Sequence, residues 1–376
     1  MKIARITATE VVVPARPGVI ESVGMNKPLH KLPFKGKPGW SVQFDQVQKI
    51  ILEVEMDNGL VGLGECYRGP MSQTIEDYAR ILLGRDLFSL PLQRLPLPHS
   101  REYDGFECAI YDAVGKARGL RVADLLGGPV RELVRVGAWS SHRRNEEIGA
   151  WAKSYRDQGY DCIKFKCDLD DDVGFWCRAI ADAAPGMQII LDPNERWETA
   201  GNARGRLREL EAIGNVLCVE EPIPRWNLSE YARLRQFSAV PIALHVSLPY
   251  VQHAQKIQDA TLAIRQDAAD GFNFNGGAAN FQRLDHLAVL SSLPCWHGSE
   301  IDLGILEARY VHSCAAAESA IWPSDIFGRM IRSHCLLKSP LVFEPPHVRL
   351  PSGPGLGVDL DRDALKEFAI ARHEIH

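Results

Sequence analysis

The chain reads as an α/β protein built on a (β/α)8-type barrel, with a smaller α+β unit ahead of it. Three observations predict this. From about residue 130 onward, strand-like segments alternate with amphipathic helical ones, the rhythm of a parallel sheet wrapped by helices. The preceding third carries antiparallel signals instead, including a two-residue hairpin turn at Asn58-Gly59. At 376 residues the chain is also long enough for one large domain and a smaller one. No G-x-G-x-x-G or P-loop is present to favour an open nucleotide-binding sheet.

Taken in order, residues 3–13 alternate polar and apolar side chains, and Val47–Glu55 and Val61–Cys66 flank the hairpin turn. Between them lies a long segment rich in Gly, Pro and Lys, about residues 17–45, which reads as a functional flap or a disordered connection. His30, Lys31, Lys35, Lys37 and Trp40 in that segment are candidates for meeting an anionic or polyhydroxylated substrate, although a solvated loop has the same composition. Helical patterns follow at Gln73–Leu83 and Gly105–Arg118. The eight barrel strands are expected at Val134–Trp139, Asp161–Lys166, Met187–Asp192, Val216–Glu220, Pro241–His245, Gly271–Asn275, Pro294–His297 and Ala320–Trp322. Glu146–Gln158, Asn202–Ala212 and Phe281–Ser291 are among the helices between them. The tail, with PSGPGLGVDLD at 351–361, leaves this rhythm and is expected to pack back on the N-terminal sheet. The expected divisions are therefore 1–128, 129–345 and 346–376.

Bulk composition narrows the function classes. Hydrophobic residues make up 45% and charged residues 24%, as in ordinary globular proteins. A net charge of −5 gives no basic footprint for nucleic acid or an anionic membrane. No apolar run approaches the roughly 18 residues of a membrane span, and MKIARITATEVVV lacks the core of a secretory signal. Nine scattered cysteines without a C-x-x-C pair argue against a zinc cluster or a disulfide framework and for a reducing cytoplasm.

Chemistry concentrates where the strands end, the face on which such barrels carry their sites. Lys164 and Lys166, two apart on one strand, point to the same side. Alone, such a pair is ordinarily a solvated face. Followed by Asp192 and Asn194 in LDPN, Glu220 in VEEP and His245 in PIALHVS, it marks a cation site beside two amines. The acidic and imidazole ends are 28 and 25 residues apart, each about one βα unit of roughly 30 residues, so they stand side by side on the rim. Oxygen ligands of this kind suit Mg2+.

These residues, with DNG (57–59), GLGE (62–65), Asp112, Gly115, Leu125-Leu126-Gly127-Gly128, Gly276-Gly277, PSD (323–325) and PGLG (354–357), resemble the enolase superfamily in its mandelate racemase/muconate lactonizing enzyme branch. The resemblance covers nearly the whole length. It implies a capping domain over a modified barrel, and abstraction of a proton α to a carboxylate. It also implies one Mg2+ per subunit at Asp192, Glu220 and His245, Lys166 as the base, Lys164 as its partner near the substrate carboxylate, and a symmetric homo-oligomer.

The pattern is broken in two places. The third ligand is normally a carboxylate; His245 removes one negative charge, which weakens Mg2+ and leads either to loss of the metal or to an ion more tolerant of nitrogen, the other reading being a hydrogen-bonded rim histidine that is no ligand. The sixth strand offers only Gly271 or Asn275 where many relatives carry a base. On the seventh, Trp296 and His297 stand where racemases of the family place a histidine. His297 is a candidate acid, second-face base or substrate hydrogen-bond donor, with a core histidine as the equal alternative; Asn194, Asn273, Asn275, Trp296, Glu300, Asp325 and Trp40 are candidate substrate contacts. One well-formed base face favours a Mg2+-dependent dehydratase of a sugar acid or hydroxylated amino acid. The alternatives are a racemase or epimerase using Lys166 and His297, and an impaired barrel that only binds.

Overall fold

The computed structural model describes residues 1–25, 47–246 and 256–376. His30, Lys31, Lys35, Lys37 and Trp40 fall outside them. Among the described residues, fourteen strands form three sheets. They are β1 (Ile3–Val12), β2 (Gln48–Met56), β3 (Val61–Glu65), β4 (Leu133–Arg135), β5 (Ala138–Ser140), β6 (Cys162–Lys166), β7 (Gln188–Asp192), β8 (Val216–Glu220), β9 (Ile242–Val246), β10 (Gly271–Phe274), β11 (Cys295–His297), β12 (Phe343–Glu344), β13 (His347–Arg349) and β14 (Ala369–Ile375).

The first sheet is antiparallel in the order β14-β1-β2-β3, so the last strand of the chain pairs with the first. Strand alternation decides which neighbour each side chain of β2 meets. Ile50, Leu52 and Val54 pack with Phe106 and Ile110 of the helix Tyr103–Arg118. Ile51 turns the other way, into a cluster with Leu303 and Ile305 that follow β11. That second face ties the N-terminal sheet to the end of the parallel one.

The second sheet runs β5 to β11 in sequence order, all parallel, with a helix between successive strands. It has seven strands where the sequence suggested eight. The run Val134–Trp139 is broken at Gly137: β4 leaves to pair with β13 in a small antiparallel sheet, and only β5 enters the parallel one. The expected strand Ala320–Trp322 does not form. Pro323 follows it directly and has no N–H with which to continue a ladder. Single bonds take its place. Asp325 N–H donates to the His297 carbonyl at 2.8 Å, and an isolated Val136–Ser324 bridge reaches toward the opposite edge.

Interior side chains lie in layers. Cys162, Ile190, Cys218, Ala243 and Trp296 form an apolar floor, one from each of five strands. Two residues further along four of those strands come Lys164, Asp192, Glu220 and His245. All nine cysteines are free. No helix among the described residues is long and apolar enough to cross a membrane.

Candidate active site

The registers of β6 through β10 bring the polar layer together. Lys166 pairs with Asp192 across β6 and β7, and His245 pairs with Asn273 across β9 and β10. In parallel sheets, paired residues share a face, so these side chains converge above the apolar floor.

Lys164 lies at the centre, nearly buried. Its Nζ is 2.6 Å from Glu220 Oε2, 2.9 Å from Asp325 Oδ2 and 3.1 Å from Asp192 Oδ2, and it lies over the Trp296 ring at 5.7 Å. Burial works against its charge, but Asp325, Glu220 and Asp192 outweigh that and hold the ammonium well above its ordinary pKa. Lys166 is more open, its side chain 15% exposed. It donates to Asp192 Oδ2 at 2.5 Å and to Asn194 Oδ1 at 2.6 Å.

The carboxylates differ. Burial opposes ionisation of Asp192, yet Lys166 and Lys164 hold it well below the usual range. Burial pushes Glu220 up to about 7, reinforced by the charge of Asp192 and opposed by Lys164. Asp325 is also raised by burial, with Lys164 opposing. The backbone carries strain beside these groups: Asn194 has φ 47° and Glu221 φ 47°, in the left-handed region. Glu221 is held there by Arg225 Nη2 at 2.7 Å and by the His245 N–H at 3.2 Å.

His245 sits between Glu220 and β10. Its Nδ1 is 3.3 Å from Glu220 Oε1 and its Nε2 is 2.7 Å from Asn275 Oδ1. Burial, then Lys164, pushes its pKa well below the ordinary histidine value, so the ring is neutral. Asn273 Nδ2 donates to Glu220 Oε1 at 2.8 Å. By type, Asp192, Glu220 and His245 are donors that fit a divalent ion, and the 3.3 Å spacing is close to the edge of a coordination sphere. As a set of three they stand wider than 4.8 Å, with the Lys164 ammonium bridging Asp192 and Glu220.

Among the described residues, only His142, Asp168 and Asp171 offer three metal-type donor atoms within 4.8 Å of one another. They follow β5 and β6, beside the lysine strand. Asp168 is ion-paired with Arg196, and Asp171 Oδ2 takes the Asp168 N–H at 2.6 Å and stands 2.9 Å from His142 Nδ1. No sequence spacing links this knot: His142 and Asp168 each lie two residues past a strand end, and Asp171 in the bend before the next helix.

His297 needs correcting. Of the three readings open to it, a rim acid or base, a substrate contact and a core histidine, the catalytic one does not fit, because it points outward into the helix layer. Trp296 pairs with inward-facing Asn273, so alternation turns His297 away. Its ring is stacked between Phe281 and Tyr310, with centroids 4.7 and 3.9 Å away. Arg309 Nη1 donates to Nε2 at 2.9 Å and Nδ1 donates to the Gly298 carbonyl at 2.6 Å. Burial and then Arg309 push its pKa well below the ordinary value. Both nitrogens are thereby occupied.

The remaining candidates divide. Asn194 and Asp325 contact the two lysines, while Asn273 and Asn275 contact Glu220 and His245. Trp296 lies beneath Lys164 as part of the floor. Glu300 is ion-paired with Arg68, which comes from the loop after β3, at 2.8 Å. Arg68 carried no motif that would have found it from sequence.

Residues 147–364 match the family described as enolase C-terminal domain-like, and residues 38–127 match the mandelate racemase/muconate lactonizing enzyme N-terminal domain. A chloromuconate cycloisomerase of Pseudomonas putida is 26% identical over 88% of this chain and 94% of its own. A D-galactarolactone cycloisomerase of Agrobacterium fabrum is 25% identical over 87% and 93%. In fold, the chain resembles an N-succinyl Arg/Lys racemase from Bacillus cereus, with TM-score 0.81, 18% identity and full coverage of both chains. It also resembles a muconate lactonizing enzyme from Pseudomonas fluorescens solved with muconolactone, with TM-score 0.80, 23% identity and coverage of 98% and 99%. On these matches the chain belongs to the mandelate racemase/muconate lactonizing enzyme family of the enolase superfamily.

Proposed function

We propose that this protein removes a proton from the carbon next to a carboxylate, with Lys166 as the base and a divalent ion, Mg2+ in the first instance, at Asp192, Glu220 and His245. The observation that carries the reading is the placement of Lys166 beside Asp192, the more open of two amines in a buried carboxylate cluster. Such an ion supplies electrophilic stabilisation of the enolate oxygens. The protein's own groups do the rest. Asn194 and Asp192 aim the Lys166 amine, and Lys164, held charged, faces the substrate carboxylate. The apolar floor under Lys164 keeps water from the far side.

The reaction is best read as β-elimination. Lys166 takes the α-proton, the C–H electrons form the double bond, and the β C–O bond breaks. The leaving oxygen then takes a proton back from Lys166 on the same face. With hydroxide leaving, this is dehydration of a sugar acid or a hydroxylated amino acid. With an internal carboxylate leaving, it is opening of a lactone, a second reading favoured by the cycloisomerase relatives. Racemisation by Lys166 and His297 loses support, because His297 has no nitrogen to offer the interior. A purely binding role leaves the aimed amine without a use.

The test is a panel of acid sugars, hydroxyprolines and sugar-acid lactones incubated with Mg2+ in D2O. Keto product carrying deuterium at the β-carbon, where the enol is protonated, lactone conversion, or recovered acid with deuterium at the α-carbon supports the reading, and Lys166→Ala should abolish all three. Turnover retained in that variant would overturn the assignment of the base.

A further inference from the structure

The turns that follow β7 and β8 hold Asn194 at φ 47°, Glu195 at φ 68° and Glu221 at φ 47°. Residues with a Cβ disfavour this left-handed region, and two in succession are rarer still, so each turn needs support from outside itself. The turns lie where the chemistry is proposed. Asn194 Oδ1 accepts from Lys166 Nζ at 2.6 Å, and the Asn194 N–H donates to Asp192 Oδ1 at 3.2 Å. Glu221 directly follows Glu220.

Arg225 supplies the support. Its backbone N–H and its Nε both donate to Glu195 Oε1 at 2.8 Å, and its Nη2 donates to Glu221 Oε2 at 2.7 Å. The turns are also stitched directly, Glu195 N–H to the Glu221 carbonyl at 2.7 Å and Trp197 N–H to the Pro222 carbonyl at 3.1 Å. The other oxygen of Glu221 accepts the His245 N–H at 3.2 Å, which brings β9 into the same tie. One guanidinium thus links the ends of three successive strands. Glu220 turns inward to Lys164, whereas Glu221, next in the chain, turns to Arg225. A planar fork of donors reaches two carboxylates in fixed directions, which a lysine ammonium does not.

We infer that Arg225, acting through Glu195 and Glu221, is a positioning residue that keeps Asn194 left-handed, so that the asparagine side chain aims the Lys166 amine. The inference rests on Lys166 as the base of the proposed reaction and names what holds that base in line.

The test has a structural and a kinetic arm. Crystal structures of wild type, Arg225→Ala and Glu195→Ala are compared at Asn194. In both variants Asn194 should leave the left-handed region, and its Oδ1 should lose the Lys166 contact. Kinetics use the acid of the panel above that exchanges its α-proton fastest. In both variants kcat should fall by about 10- to 100-fold, as when a reacting group is misplaced by about an ångström. KM should change by less than about threefold, because the loss is confined to the chemical step. Glu195→Gln keeps the acceptor oxygen and should retain most of the wild-type kcat. Glu195→Ala leaves the buried Glu221 paired with Arg225, so it serves as the test if Arg225→Ala does not fold. An unmoved Asn194 in Glu195→Ala, or a kcat within about threefold of wild type, overturns the inference and leaves Lys166 as the base. If wild type exchanges no acid of the panel, the proposed chemistry falls and the inference with it.

Discussion

Two buried lysine–carboxylate clusters lie among the described residues, and they are built for different ends. In the first, Lys49 of β2 is ion-paired with Asp302 and stands 3.4 Å from Glu65. Glu65 also accepts the Leu303 and Leu306 N–H groups at 2.7 and 3.0 Å, and Asp302 accepts from Tyr310 at 2.6 Å and from the Glu300 N–H at 2.8 Å. These charges are spent on protein partners that join the N-terminal sheet to the segment after β11. The second cluster, at the ends of β6 to β9, again joins lysines to carboxylates but has a more open amine and a histidine 3.3 Å from Glu220. A closed network stabilises, whereas an open one is a site for something else.

The contrast is sharpest in what removing each lysine does. Lys166→Ala should lower α-proton exchange by about 10²–10⁴-fold and lower the denaturant midpoint less than loss of Lys49 does, because Lys164 stays beside Asp192. Lys49→Met should do the reverse. Breaking a buried pair from one side costs on the order of 3–5 kcal/mol, so urea unfolding should shift strongly, with activity per folded molecule largely kept. If both lysines cost stability equally and neither costs exchange, the distinction fails.

A smaller effect concerns pH. Glu307 lies beside the closed cluster, and burial pushes it up to about 8 from 4.5, with the Gly328 N–H opposing and Asp302 adding. Its folded-state value is above its unfolded one, so the stability tied to its proton is present at low pH and is lost as pH rises from about 4.5 through about 8. Glu307→Gln should flatten that part of the stability–pH curve, measured by urea midpoints between pH 5 and 9. An unchanged slope would remove Glu307 from the account. Smallest of all, Lys153→Ala breaks a surface pair with Asp157 at 2.6 Å and should shift stability by only about 0.3–0.5 kcal/mol.

The open cluster was far more legible in the sequence than the closed one. Lys164 and Lys166 lie two apart on β6, and Asp192, Glu220 and His245 stand at or next to the ends of the three strands that follow, so strand geometry and their one-unit spacing bring them together. His297 went astray because β11 is only three residues, Cys-Trp-His, all buried, and gives no alternation to say which side chain faces inward. The eighth strand was misread because Ala320–Trp322 has strand-like composition up to a proline that cannot continue a ladder. Val134–Trp139 looked continuous because the break at Gly137 depends on β13, more than 200 residues later, drawing β4 away. Lys49 left a trace, a lysine inside the apolar run QKIILEVEM, but its partners Glu65 and Asp302 lie in other elements and no local spacing links them.

The central claim is that Lys166, aimed by Asp192 and Asn194, moves the α-proton. The most direct test is the loss of the α-proton NMR signal in D2O for the best substrate of the panel, comparing wild type, Lys166→Ala and Lys49→Met at equal folded concentration. Wild type and Lys49→Met should wash out the signal while Lys166→Ala leaves it intact. Equal washout by Lys166→Ala and wild type would contradict the account.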